Sequence, residues 1–148
     1  MSFYHFIIQA LFSYLGTIMF GIFINLPKDA LNAAGLIAGV GWLVYWFMVN
    51  FDFGAILANF VAAFVVGSLG ILLAAKKKMP STMFVIGLVP LVPGVSGYQA
   101  IAAVIDHSPM VALQKTIHVC MVAGAIALGY VFSQVVLELI KNRRHSLS

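Results

Sequence analysis

Five long apolar runs, divided by short polar breaks, make up almost the whole chain. They cover about 4–26, 31–49, 53–75, 82–105 and 111–140. A helix that crosses a hydrocarbon core of about 30 Å needs about 20 mostly apolar residues. Four runs exceed that length and the second just reaches it. The fifth is longer than one crossing requires, so it tilts or projects beyond the bilayer on the inner side. Membrane β-strands would alternate apolar and polar positions over about ten residues, and no run does so. The pattern predicts an all-α, polytopic membrane protein of about five transmembrane helices, a single domain over 1–148 with no soluble domain of any size.

Composition sharpens this. Of 148 residues, 63% are hydrophobic and 8% are charged, with a mean hydropathy of +1.08. Soluble domains carry roughly 25% charged residues, so this chain has too few polar side chains to cover its apolar surface in water. The lone Cys120 has no partner for an internal disulfide and leaves the redox compartment open.

The charges add an orientation. Lys28 follows the first run, Lys76, Lys77 and Lys78 follow the third, and Lys141, Arg143 and Arg144 follow the fifth. The breaks after the second and fourth runs hold Asp52, Asp106 and His107 but no Lys or Arg. Only Lys115 falls on the other side, so seven of the eight basic residues share one face. The positive-inside rule makes that face cytoplasmic, with the N-terminus outside and the C-terminus inside. The net charge of +4 then reflects anchoring at the inner leaflet and not nucleic-acid binding. Residues 1–5 hold no Lys or Arg, and the run behind them is too long for a signal-peptide core, so the first segment reads as a retained helix. Trp42, Tyr45 and Trp46 are expected toward the outer end of the second helix, as part of an aromatic belt.

The fourth run carries the most chemistry. It reads Phe84-Val-Ile-Gly-Leu-Val-Pro-Leu-Val-Pro-Gly-Val-Ser-Gly-Tyr-Gln99. Pro90 and Pro93 each remove a backbone donor and clash with the preceding turn, and Gly94 accepts dihedrals that other residues resist. The helix is expected to be broken or kinked at Pro90–Gly94, about halfway across. Freed backbone groups at that depth need protein or trapped water as partners. Interrupted helices of this kind build solute sites in transporters, with half-helix N-termini facing anions. Ser96, Gly97, Tyr98 and Gln99 follow the break, and three of them bring hydroxyl or amide groups. A purely structural kink fits the same residues.

Elsewhere the signals are thinner. Asn25, Pro27 and Lys28 end the first helix at the cytoplasmic mouth, as a capped turn or a contact for solute. Asn59, Ser68 and Gln134 suit hydrogen bonds between helices, of about 0.6 kcal/mol each. Gly35 with Gly39, and Ala125 with Gly129, have the small-residue spacing of close helix packing. His118 is the deepest ionisable side chain, and a histidine at such depth is a functional candidate, although Gln114 or a carbonyl would also satisfy it. Asp29, Asp52, Asp106 and Glu138 all lie near helix ends, so coupling to protons or sodium would fall to His118 or to another chain. No metal-ligand spacing, phosphate-cradling loop or catalytic triad occurs; an enzyme, a cofactor and a metal are not expected.

The stretch Leu88-Val-Pro-Leu-Val-Pro-Gly-Val-Ser-Gly-Tyr98 resembles the signature of the threonine/serine exporter family, in its C-terminal membrane domain. The turn Asn25-Leu-Pro-Lys-Asp-Ala-Leu31 is similar to the first helical hairpin of that domain, and the run from Lys76 to Pro80 fits as well. In that family the domain occurs fused behind a larger half or as a separate small subunit, as in the bacterial two-component succinate exporter. The resemblance implies a small subunit in a bacterial inner membrane, embedded in the lipid bilayer beside a larger membrane partner. It implies efflux of a small carboxylate-bearing solute: threonine, serine or a dicarboxylate such as succinate. On this reading Pro90, Pro93 and Gly94 open the fourth helix, Ser96, Tyr98 and Gln99 line the path, and Lys28 draws anions at the mouth. A structural or assembly subunit without solute contact, and a homo-oligomeric channel, are the competing classes.

Overall fold

A computed structural model describes residues 3–145, without the side chains of residues 3, 5, 6 and 142–145. The expected cytoplasmic arginines, Arg143 and Arg144, and the N-terminal residues Met1 and Ser2 therefore fall outside the described features. The chain is all-helical: α1 (Phe3–Phe23), α2 (Lys28–Asn50), α3 (Ala55–Lys77), a 3-10 segment (Ser81–Leu91), α4 (Gly94–Ile105) and α5 (Pro109–His145). Among the described residues, three stretches are continuous, long and apolar enough to cross a membrane: α2, α3 and the Pro109–Lys141 part of α5. The bent pair formed by the 3-10 segment and α4 makes a fourth if counted as one span. Within α1, the stretch Ile7–Phe23 is apolar but shorter.

Helices begin and end a few residues from the bounds of the apolar runs. α2 starts at Lys28 and α5 runs on to His145, because a helical backbone continues through polar residues that have left the hydrocarbon. Asp29 in the first turn of α2 also suits the positive end of the helix dipole.

One device ends four helices. Asn25, Asp52, Lys78 and His107 each take a left-handed backbone conformation, with φ of 57°, 58°, 54° and 52°. In each case the next amide reaches back five residues: Leu26 to Gly21, Phe53 to Met48, Met79 to Ala74 and Ser108 to Ala103. This is the Schellman closure, which satisfies carbonyls that a helix end leaves without partners. Pro27, Pro80 and Pro109 follow within two residues and prevent the helix from resuming.

Packing turns on small residues. α2 lies against α1, α3 and the 3-10 segment; α3 also meets α5 and the 3-10 segment, and α4 packs chiefly on α5. The buried set is rich in alanine (Ala30, Ala33, Ala34, Ala38, Ala58, Ala62, Ala63), while Leu, Ile, Phe and Met side chains cover the outside. That inversion is what a lipid solvent favours, since large apolar groups gain nothing by hiding from it. Gly35 of α2 takes the ring of Tyr14, and Ser13 donates to the Ala38 carbonyl at 3.1 Å, joining α1 to α2. On α5, Gly129 lies so close to the Phe60 carbonyl of α3 that a Cβ there would collide with backbone. Gln134 bonds Tyr130 of its own helix.

Two ends of the bundle follow. Lys77 Nζ donates to the Asp29 carbonyl, so the α1–α2 turn and the turn after α3 share one end. His118 sits with Ala55 and Asn59, Phe132 with Phe60, and Ser133 against Gly67. Contacts thus advance together along α3 and α5, which run in the same direction and bring the end of α5 toward the lysine end.

Candidate functional site

The fourth run breaks where the prolines stand. Val92 is extended (φ −62°, ψ 129°), as the residue before a proline prefers. Pro93 follows at φ −76°, ψ 56°, and the Gly94 amide donates back to the Val92 carbonyl at 2.8 Å. Those values describe an inverse γ-turn. Across it the chain bends by 54°. Before the break the backbone is not α-helical but wound as a 3-10 helix of 11 residues, which contains Gly87 and Pro90. Such segments seldom pass three or four residues. Gly87 permits this one to lie against α2 and α3, where a side chain would crowd Ile37 and Val66.

Beyond the bend, the start of α4 is left open. The Gly97 amide donates to the Pro93 carbonyl at 3.0 Å, but Val95 and Ser96 lie where helix geometry supplies no acceptor. No side chain caps this end. Two N–H groups and the positive end of α4's dipole therefore face whatever stands before them.

A cavity of about 250 Å³ stands there. Its walls come from the break (Pro90, Leu91, Val92, Pro93, Gly94, Val95, Ser96), from α2 (Trp42, Tyr45), from α3 (Ala55, Asn59) and from α5 (His118, Val122). Since one water takes about 30 Å³ of liquid, the space equals roughly eight waters. That suits a small metabolite and is too small for a nucleotide or peptide. A larger space of about 730 Å³ runs between the start of α3 and α5, past Phe53, Leu57, Phe60, Met121 and Leu128. Its wall is almost wholly apolar apart from His118, which fits lipid or an apolar helix better than a polar solute.

The structure brings together Pro90, Pro93, Gly94, Ser96 and His118. Tyr98 is 73% exposed and outside this cavity. Gln99 lines a separate recess of about 370 Å³ with Asp106, Ser108 and Lys115. Gly97 borders neither. Asn25 is the left-handed closing residue of α1, Pro27 the N-cap of α2 and Lys28 its first residue, all at the lysine end, and none of them lines the cavity at the break.

Three wall residues carry roles that the sequence did not suggest. Trp42 and Tyr45, expected in an aromatic belt, face the cavity, their rings 5.2 Å apart, and the Trp42 indole donates to Gln9 Oε1 at 2.8 Å. Their i, i+3 spacing on α2 is a signal for a shared face. Asn59, expected to bond a neighbouring helix, instead donates from Nδ2 to the Ala55 carbonyl of its own helix at 2.7 Å. Its Oδ1 is buried and has no partner among the described residues. Leaving such an acceptor empty costs about 1–3 kcal/mol.

The threonine/serine exporter (ThrE) family model matches residues 9–136, a span that includes the break and every wall of the cavity. The chain belongs to the threonine/serine exporter family. It is similar to a protein of Haemophilus influenzae described as uncharacterized, 26% identical over 97 residues, 65% of this chain and 33% of that protein. It is also similar to a probable threonine/serine exporter of Mycobacterium tuberculosis, 27% identical over 110 residues, 73% of this chain and 21% of that protein. The chain thus matches a third or less of the length of these curated relatives. No solved structure matches it. With several apolar helices long enough to cross a bilayer, this member of the exporter family is a multi-pass membrane protein.

Proposed function

We infer that this chain is the small subunit of an exporter for small carboxylate-bearing metabolites, working with a larger membrane partner in a bacterial inner membrane. The solute is threonine, serine or a dicarboxylate such as succinate. The observation that carries this reading is the uncapped start of α4, whose Val95 and Ser96 amides lie at a cavity of metabolite size. A carboxylate there gains two hydrogen bonds and the favourable end of the helix dipole. Pro90, Pro93 and Gly94 hold the helix open, and Ser96 stands beside the solute. Gly97, Tyr98 and Gln99 continue along α4 toward the recess that holds Asp106 and Lys115. Asn25, Pro27 and Lys28 form the mouth at the opposite end, where Lys28 draws anions. His118, whose imidazole lies at the cavity, is the candidate group for any proton coupling. Five spans, with α1 counted, put the lysine end in the cytoplasm and the N-terminus outside, as the positive-inside rule asks.

The family match supports the exporter part of this reading. Cells preloaded with labelled threonine, or separately with succinate, should show efflux only when both chains are expressed. Efflux by the larger partner alone would reduce this chain to an assembly subunit, and conductance from this chain alone in liposomes would make it a channel.

A further inference from the structure

Asn59 stands one turn into α3, only 4% exposed, on the cavity wall. Its carboxamide has a fixed sense. Nδ2 is spent on the Ala55 carbonyl, and turning the group over would set oxygen against oxygen. The remaining acceptor, Oδ1, has no partner among the described residues. The break supplies the reverse: the Val95 and Ser96 amides are donors without an intrahelical acceptor. Asn59 is thus a wall residue whose acceptor is unused and shielded from the open space, and the break brings unused donors to another wall. A solute that offers a donor at one end and a carboxylate at the other satisfies both, whereas a second carboxylate brings only acceptors to Oδ1.

We propose that Asn59 is the specificity-determining residue of this cavity. Its Oδ1 accepts a hydrogen bond from the ammonium or hydroxyl group of a small solute whose carboxylate rests on the Val95 and Ser96 amides. The site then selects amino or hydroxy acids over dicarboxylates. This assignment rests on the exporter reading above and narrows it. Oδ1 has almost no accessible surface, so the proposed contact requires neighbouring side chains to move aside. Sites built to bond a polar group reject analogues that lack it far more strongly than apolar pockets reject isosteres.

Trp42 on the same wall supplies a readout that does not depend on transport. The purified full chain, with Trp46→Phe to isolate the signal, is titrated with L-threonine and with succinate while tryptophan fluorescence is followed. A saturable response to threonine is expected, with succinate at least about tenfold weaker, the discrimination expected of one charge-assisted hydrogen bond. Asn59→Leu should raise the threonine Kd by about tenfold and leave the thermal midpoint unchanged or higher, since a buried unpaired acceptor is removed. Asn59→Ser, whose short hydroxyl turns back to its own helix, should show the same loss even if the leucine variant folds poorly. Unchanged threonine binding in both variants would overturn the proposal and give Oδ1 to a trapped water. Equal binding of succinate, or no saturable response, would overturn it as well. Threonine efflux from cells despite any of these results would leave the exporter reading standing without Asn59. Successful titrations without efflux would do the reverse.

Discussion

The later turns of the α3–α5 pair, beyond the apolar space at their start, and the broken fourth run are built from much the same apolar residues, yet one closes space and the other opens it. Along α3 and α5 the small residues face inward: Gly129 meets the Phe60 carbonyl and Gly67 receives Ser133. At the break, Gly94 and Gly97 meet nothing within 4 Å. Gly67 and Gly129 of the first pair are contacts, and Gly94 and Gly97 at the second are room. In lipid, where burial of apolar area drives little, close approach of backbones is a main source of cohesion. A region deprived of it is free to hold polar groups ready for a ligand.

The sharpest way to break this contrast is to fill the contact side. Gly129→Leu places a side chain against backbone that cannot swing away, so the cost should exceed the roughly 1–3 kcal/mol of ordinary overpacking. The thermal midpoint in detergent should fall steeply; an unaltered midpoint would mean that α3 and α5 separate without cost. Filling the open side should act on transport instead. Pro93→Ala with Gly94→Leu should abolish efflux while insertion and midpoint stay near wild type, and normal efflux from the well-inserted double variant would remove the break from the mechanism. The smallest effect belongs to Gly97→Ala, in the first turn of α4 with open space around it. It should raise the thermal midpoint slightly, by up to about 1 kcal/mol of stability through helix propensity.

The membrane class and the break were legible in the sequence because each rests on local chemistry: run length against bilayer thickness, and two prolines with a glycine. The cavity wall was less so. Which side of α4 meets the cavity depends on the direction of the 54° bend, and successive helical residues turn by about 100°. Ser96 therefore lands on the wall while Tyr98 and Gln99, two and three residues later, do not. Asn59 was placed on the right helix but given the wrong bond, since only tertiary structure shows that its amide turns back to Ala55. The 3-10 winding was also hidden, for it depends on how Gly87 seats against α2 and α3.

That winding fixes a length. Eleven residues rising 2.0 Å apiece extend about 22 Å, where an α-helix of the same residues would reach only about 16 Å. The over-stretched segment thus carries Pro93 roughly 5 Å farther from the lysine end than ordinary winding would. The depth of the cavity is in this sense set by pitch: rewinding a few residues would draw its floor toward the lysines like a piston, with no helix having to tilt.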